Sequence, residues 1–140
     1  METEKDRVAR QFMDEIPHAQ ALGMRLTLME DGRARIEMGY DARFVGDPET
    51  GVIHGGAISA LMDTCCGAAA ISHPDSPGIT ATLDLRIDYM RPATPGQTIS
   101  AEAECYHITR SVAFVRARAT DDDAARPVAN ATGTFTVEGG

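Results

Sequence analysis

Hydrophobic and polar residues alternate with two different periods along this chain, and the switches between them divide it into elements. In "EKDRVARQFMDEI", Val8, Phe12 and Ile16 fall at helical spacing and predict a short amphipathic helix. From Met24 the period is two. Met24, Leu26 and Leu28 alternate with Arg25, Thr27 and Met29; "EDG" (Glu30 to Gly32) signals a turn; then Ala34, Ile36, Met38 and Tyr40 alternate with Arg35, Glu37 and Gly39. This pattern is a hairpin. Asp41 to Val52 reads as a loop punctuated by Gly46, Pro48 and Gly51. A long apolar run from about Gly55 to about Ser72 reads as a helix, stopped by "HPDSPG". Period two then returns, with Ile79, Ala81, Leu83, Leu85, Ile87 and Tyr89 opposite Thr80, Thr82, Asp84, Arg86 and Asp88. After the turn "PATPG", Ile99, Ala101, Ala103 and Cys105 form the next apolar face. Ser111 to Thr120 and Val128 to Val137 are the last two strands, separated by a "DDD" turn expected to be solvated.

The order is thus two strands, one apolar helix and four strands. One apolar face per strand implies an antiparallel sheet covered on one side. A helix that is apolar nearly all round belongs in the middle of a fold. Together these predict an α+β architecture of about six strands curved around one central helix. At 140 residues the chain is expected to be one domain over 1–140, with residues 1–16 as a helical appendage.

Composition narrows the function classes. A formal net charge of −8 disfavours nucleic acid and anionic membranes as partners. Three cysteines, Cys65, Cys66 and Cys105, have no framework spacing, which points to a reduced, cytoplasmic setting. The charged start "METEKDRVAR" carries no apolar signal core. Ala57 to Ile71, interrupted by Ser59, Asp63 and Thr64, reads as too short and too polar to span a bilayer. His18, His73 and His107 lack metal-ligand spacing, so no metal is expected.

The chemistry concentrates in "HGGAISALMDTCCGAA". Asp63 is the one charged residue in an apolar helix, and a buried carboxylate must be paired, hydrogen-bonded or wet. Gly55, Ser59, Asp63 and Gly67 recur every four residues and form a small or polar stripe. At the front, Gly55 and Gly56 let a substrate approach the unpaired N–H groups of the first helical turn, where an oxyanion is stabilised. His54 adds a side chain at the same mouth. Gly55 and Asp63 are eight residues apart, roughly 12 Å at ~1.5 Å per residue. One helix cannot easily present both to one carbonyl; a second, antiparallel copy would. If both serve one reaction, a dimer with two shared sites is expected.

These motifs resemble the hotdog-fold acyl-CoA thioesterases of the phenylacetate-degradation type. The resemblance rests on Gly51, on "HGG" at His54 to Gly56 with Asp63 nine residues after the His, on "LDLRIDYMRPATPG" (Leu83 to Gly96) and on "ANATGTF" (Ala129 to Phe135). It implies that the Gly55 amide polarises a thioester carbonyl and that His54 shapes that site. It further implies that Asp63 of a partner subunit activates a water or attacks directly, and that Thr82 orients the water. Many members have an Asn six residues before the His; here Pro48 stands there, with Asp47 beside it as the candidate for that place. Arg91 and Arg110, at predicted strand ends, are the candidate cations for the phosphates of coenzyme A, and Gly56 joins the binding residues. The resemblance implies an acyl-CoA substrate, with coenzyme A as part of that substrate and no separate cofactor, and a homodimer or a homotetramer built as a dimer of dimers.

Plainer roles exist for each residue. His54 fits a helix cap, Asp63 a buried hydrogen-bonding group, Thr82 an ordinary strand threonine, and the cysteines small core residues. Two other functions share the architecture: a non-catalytic acyl-CoA-binding domain and a hydratase or dehydratase. Retention of Asp63 argues against the first, and the "HGG" plus Asp spacing suits hydrolysis better than the second.

Overall fold

The computed structural model describes residues 4–76 and 78–139. Two short helices, α1 (Glu4–Asp14) and α2 (Pro17–Ala21), precede a hairpin of β1 (Met24–Glu30) and β2 (Arg33–Met38). A 3-10 turn (Ala42–Phe44) leads into two short strands, β3 (Val45–Asp47) and β4 (Val52–Ile53). The long helix α3 (Gly55–Ser72) follows, then β5 (Gly78–Tyr89), β6 (Ile99–Ile108), β7 (Val112–Thr120) and β8 (Ala129–Gly139). Six strands form one antiparallel sheet in the order β1-β2-β6-β7-β8-β5, and β3 pairs with β4 apart from it. Helix α3 packs against every strand of the large sheet. This is the α+β hotdog fold, a sheet wrapped around a central helix.

Local sequence explains the limits of α3. The His54 side chain caps its start by accepting from the Gly56 N–H, and His73, held extended before Pro74, ends it. The Asp31-Gly32 turn, with both residues at positive φ, suits a tight hairpin. The Gly32 N–H then donates to Ser72 Oγ and ties that hairpin to the end of α3. With 18 residues, α3 meets the length and composition of a bilayer span, contrary to the expectation from sequence. More than half of it is nevertheless buried inside the protein, as a core helix must be.

Small side chains let the sheet close on that helix. Ala34, Ala101, Ala103, Ala117, Ala119 and Ala131 line the buried face, opposite Cys65, Cys66 and Ala68 to Ala70 of α3. Short side chains on both partners shorten the distance between backbones. Burial pushes the Cys65 thiol up to about 12, and raises Cys66 further and Cys105 as well.

Two departures from simple alternation occur on the edge strands. In β5 the register passes from Thr82 opposite Phe135 to Asp84 opposite Thr134, so Leu83 is an extra, bulged residue. Before the bulge, Thr80 and Thr82 pair with the inward residues Val137 and Phe135; after it, Leu85, Ile87 and Tyr89 pair with Gly133, Ala131 and Ala129. The expectation that Ile79, Ala81 and Leu83 share the buried face with Leu85 is therefore corrected. Ile79 and Leu83 are 59% and 58% exposed. A second bulge in β1, between Leu26 and Leu28, likewise gives the inward place to Met29 rather than Leu28.

The "DDD" turn is corrected too. Asp121 is buried, and both its oxygens accept from Arg91, at 2.7 and 2.8 Å. It also accepts from the Thr94 and Asp123 N–H groups. This cluster joins the loop after β5 to the loop after β7.

Two predictions follow from these contacts. A Cβ at residue 133 would lie 2.7 Å from the Asp84 carbonyl oxygen, at the bulge. We expect Gly133→Ala to destabilise the protein by about 2 kcal/mol through overpacking, read from denaturant midpoints at fixed protein concentration. The Arg91 guanidinium holds the Asp121 carboxyl well below the usual carboxylate range, and the two backbone donors add to this against the opposing effect of burial. A depressed folded value means stability that is full above the unfolded value, near about 4, and lost as pH falls through the folded one. Asp121→Asn should therefore show a lower unfolding midpoint at pH 7 and a flatter decline below pH ~4 than wild type. Parallel acid profiles for the two proteins would dissociate Asp121 from acid lability.

Candidate active site

The N-terminus of α3 is assembled from three directions. The His54 N–H donates to the Phe44 carbonyl at 2.8 Å, which seats it on the turn before β3. Gly46, the bulged residue of β3, leaves room for it: a Cβ there would fall 2.9 Å from His54 Cα. His54 Nδ1 accepts from the Gly56 N–H at 2.7 Å, so the ring of the neutral imidazole carries its proton on Nε2. The Ala57 N–H bonds to the His54 carbonyl. The Gly55 N–H, first in the helix, has no acceptor among the described residues. On the other side the Tyr89 hydroxyl donates to the Gly55 carbonyl at 2.9 Å.

An open groove of about 430 Å³ runs beside Gly55. Val52, Ile53, Ile58, Tyr89, Met90 and Ala93 give it a mostly apolar wall. A second groove, about 350 Å³, lies across His54, between Arg43, Phe44, Leu22 and Ala57.

Asp63 lies two turns along α3, half-buried. The Thr82 hydroxyl donates to its Oδ1 at 2.7 Å, and Oδ2 accepts nothing from the described residues. Thr82 reaches it because of the Leu83 bulge. On sequence parity Thr82 falls on the outer face and needs an edge or an interface to reach a site; in the structure it faces the helix within its own chain. Thr80, two residues earlier, also faces α3, and its Oγ1 is buried without a partner.

The structure thus brings His54, Gly55, Gly56 and Tyr89 together, and separately Asp63 and Thr82. The remaining candidates go elsewhere. Asp47 folds its own turn, accepting from the Glu49 N–H at 3.1 Å and the Thr50 hydroxyl at 2.8 Å. Arg91 borders the groove at Gly55, and its five N–H donors are taken by Asp121 and by the Pro92 and Arg126 carbonyls. Arg110 occupies the exposed turn between β6 and β7. Strand register places that turn by Thr80 and Val137, at the end of the sheet near the C-terminus of α3. Among the described residues no three His, Cys, Asp or Glu side chains gather to hold a metal ion.

Tyr89 and Gly46 escaped the sequence reading. By pattern alone Tyr89, within "DYMRPA", is one more apolar strand position and Gly46 is loop punctuation. His54 caps the helix through Nδ1.

This arrangement can polarise a carbonyl at the free Gly55 N–H and can hold a carboxylate with one open oxygen beside a small hydroxyl. The family model of the thioesterase superfamily matches residues 50–128. The acyl-coenzyme A thioesterase PaaI of Escherichia coli is 31% identical over 90 residues, which are 64% of this chain and 60% of that protein. The chain spans less than two thirds of the length of the curated relatives it matches. A crystal structure of a Pseudomonas aeruginosa protein is 39% identical, with a TM-score of 0.84 over 94% of this chain and 98% of that one. The E. coli PaaI protein from the phenylacetic acid degradation operon shares the fold at TM-score 0.85, with 24% identity over 96% of this chain and 93% of that one. With more than half of its length matched by the family model, this chain belongs to the thioesterase superfamily.

Proposed function

We propose that this protein hydrolyses an acyl-CoA to a carboxylic acid and free coenzyme A. The observation that carries the reading is the pairing of two features on one helix: an open Gly55 N–H at its start, and a Thr82-anchored Asp63 with a free oxygen two turns later. The groove beside Gly55 receives the acyl group, whose carbonyl oxygen meets the Gly55 N–H. Asp63 takes a proton from water as it attacks the thioester carbon, and Thr82 fixes the carboxylate while its lone pairs orient that water. Collapse of the tetrahedral intermediate expels coenzyme A as thiolate, which takes up the proton.

The same reading requires a homodimer. Along α3 the Gly55 N–H and Asp63 stay ~12 Å apart. Strand β5 runs back beside the helix, with Tyr89 at Gly55 and Thr82 at Asp63. It is also an edge strand of 12 residues with Ile79 and Leu83 exposed, a surface that invites pairing. A two-fold axis near Ser59 of α3 and Leu85 of β5 would lay Asp63 and Thr82 of one subunit against His54 and Gly55 of the other. Two such dimers would form the tetramer, in the cytoplasm.

Thiol release from a panel of aryl, short and medium acyl-CoAs tests the activity. We expect Asp63→Asn to lower kcat by at least ~100-fold, the low end for loss of a general base, with the unfolding midpoint nearly unchanged. Turnover near wild type in that variant would remove Asp63 from the reaction. Subunit mixing tests the shared site. Inactive Asp63→Asn and Gly55→Val proteins, once exchanged, should regain activity, because each heterodimer holds one site with neither substitution. No recovery after demonstrated exchange would refute the arrangement.

A further inference from the structure

The two glycines that open α3 share one peptide group, and side chains grip that group at both ends. Its N–H donates to His54 Nδ1 at 2.7 Å, and its C=O accepts from the Tyr89 hydroxyl at 2.9 Å. Glycine peptides turn more freely than any others, and a helix terminus is where such freedom is expressed. The adjoining peptide carries the open Gly55 N–H and pivots on the same Cα. Any rocking of the Gly55–Gly56 plane therefore swings that N–H away from its target. The Tyr89 ring adds a second restraint, since a Cβ on Gly55 would already touch it at 3.4 Å. The bulge at Leu83 sets the parity that points Tyr89 at the helix, opposite the inward-facing Ala129.

We propose that Tyr89 is a positioning residue for thioester hydrolysis: its hydroxyl, with His54, clamps the Gly55–Gly56 peptide and so aims the Gly55 N–H at the reacting carbonyl oxygen. The chain of bonds runs one way, from Tyr89 O–H to the Gly55 carbonyl and from the Gly56 N–H to His54 Nδ1, so each strengthens the other. The Tyr89 ring borders the acyl groove, while its hydroxyl is engaged by the Gly55 carbonyl and not by the reacting atoms. Its contribution is the orientation of a donor, which counts most when charge develops on the oxygen. The inference rests on the thioesterase reading.

Tyr89→Phe keeps the ring and removes the hydroxyl. We expect kcat to fall about ten-fold, the size of one hydrogen bond, with KM within about two-fold and the unfolding midpoint close to wild type. In ¹⁵N-labelled full-length protein, amide exchange at Gly56 should quicken several-fold while Ala68 to Ala70, deep in α3, stay protected. Wild-type kcat in Tyr89→Phe alongside an inactive Asp63→Asn would overturn the clamp and leave the thioesterase reading standing. Full turnover in Asp63→Asn would instead strike at that reading, and the exchange experiment would still decide the clamp. Unchanged exchange at Gly56 refutes it whatever the kinetics.

Discussion

A single carboxylate on a buried helix has to find a polar partner, and much of this structure is arranged around that need. Asp63 is the one charged residue of α3. It stands half-buried on the same helix as the fully buried Met62 and Cys66. The Thr82 hydroxyl meets it, and Thr82 faces it only because Leu83 bulges out of β5. The bulge in turn needs a strand opposite that has no side chain at residue 133, where a Cβ would strike the Asp84 carbonyl. One extra residue in one edge strand thus gives the half-buried Asp63 a hydroxyl partner, turns Tyr89 toward Gly55 and leaves Ile79 and Leu83 facing outward.

The same small-residue economy governs the rest of the core. A sheet can wrap a helix closely only if the side chains between them are short. Alanines on the strands meet alanines and cysteines on α3, while Ile36, Met38, Ile99 and Phe135 are the large side chains fully buried with them. The Arg91–Asp121 cluster then closes the sheet at the end where the groove beside Gly55 opens.

The sequence disclosed what depends on local pattern. The limits of α3 were legible from His54, the glycine pair and Pro74, and the hairpin from Asp31 and Gly32, because caps and turns are set by neighbouring residues. The bulges were not, since Ile79, Leu83 and Leu85 keep a strict apolar alternation through the very point where the strand slips register. Leu28 and Met29 offered β1 two equally apolar choices. Asp121 looked solvated because it stands in an acidic run, and its partner lies thirty positions earlier in the chain. The Gly55 and Asp63 candidates came from motif spacing, and Thr82 from the family resemblance. The grip of Tyr89 on Gly55 spans 34 residues and belongs to the fold alone.

The buried cysteines have a consequence for the chemistry proposed. A thioesterase makes a free thiol at every turnover and works among thiols and their disulfides. Exchange with these needs an accessible thiolate on the protein. Cys65, Cys66 and Cys105 are all buried, and each thiol is raised by its surroundings, so all three stay protonated and out of reach. The core can therefore use sulfur for its size and softness, with none of these three thiols exposed to form a mixed disulfide with an oxidised product thiol.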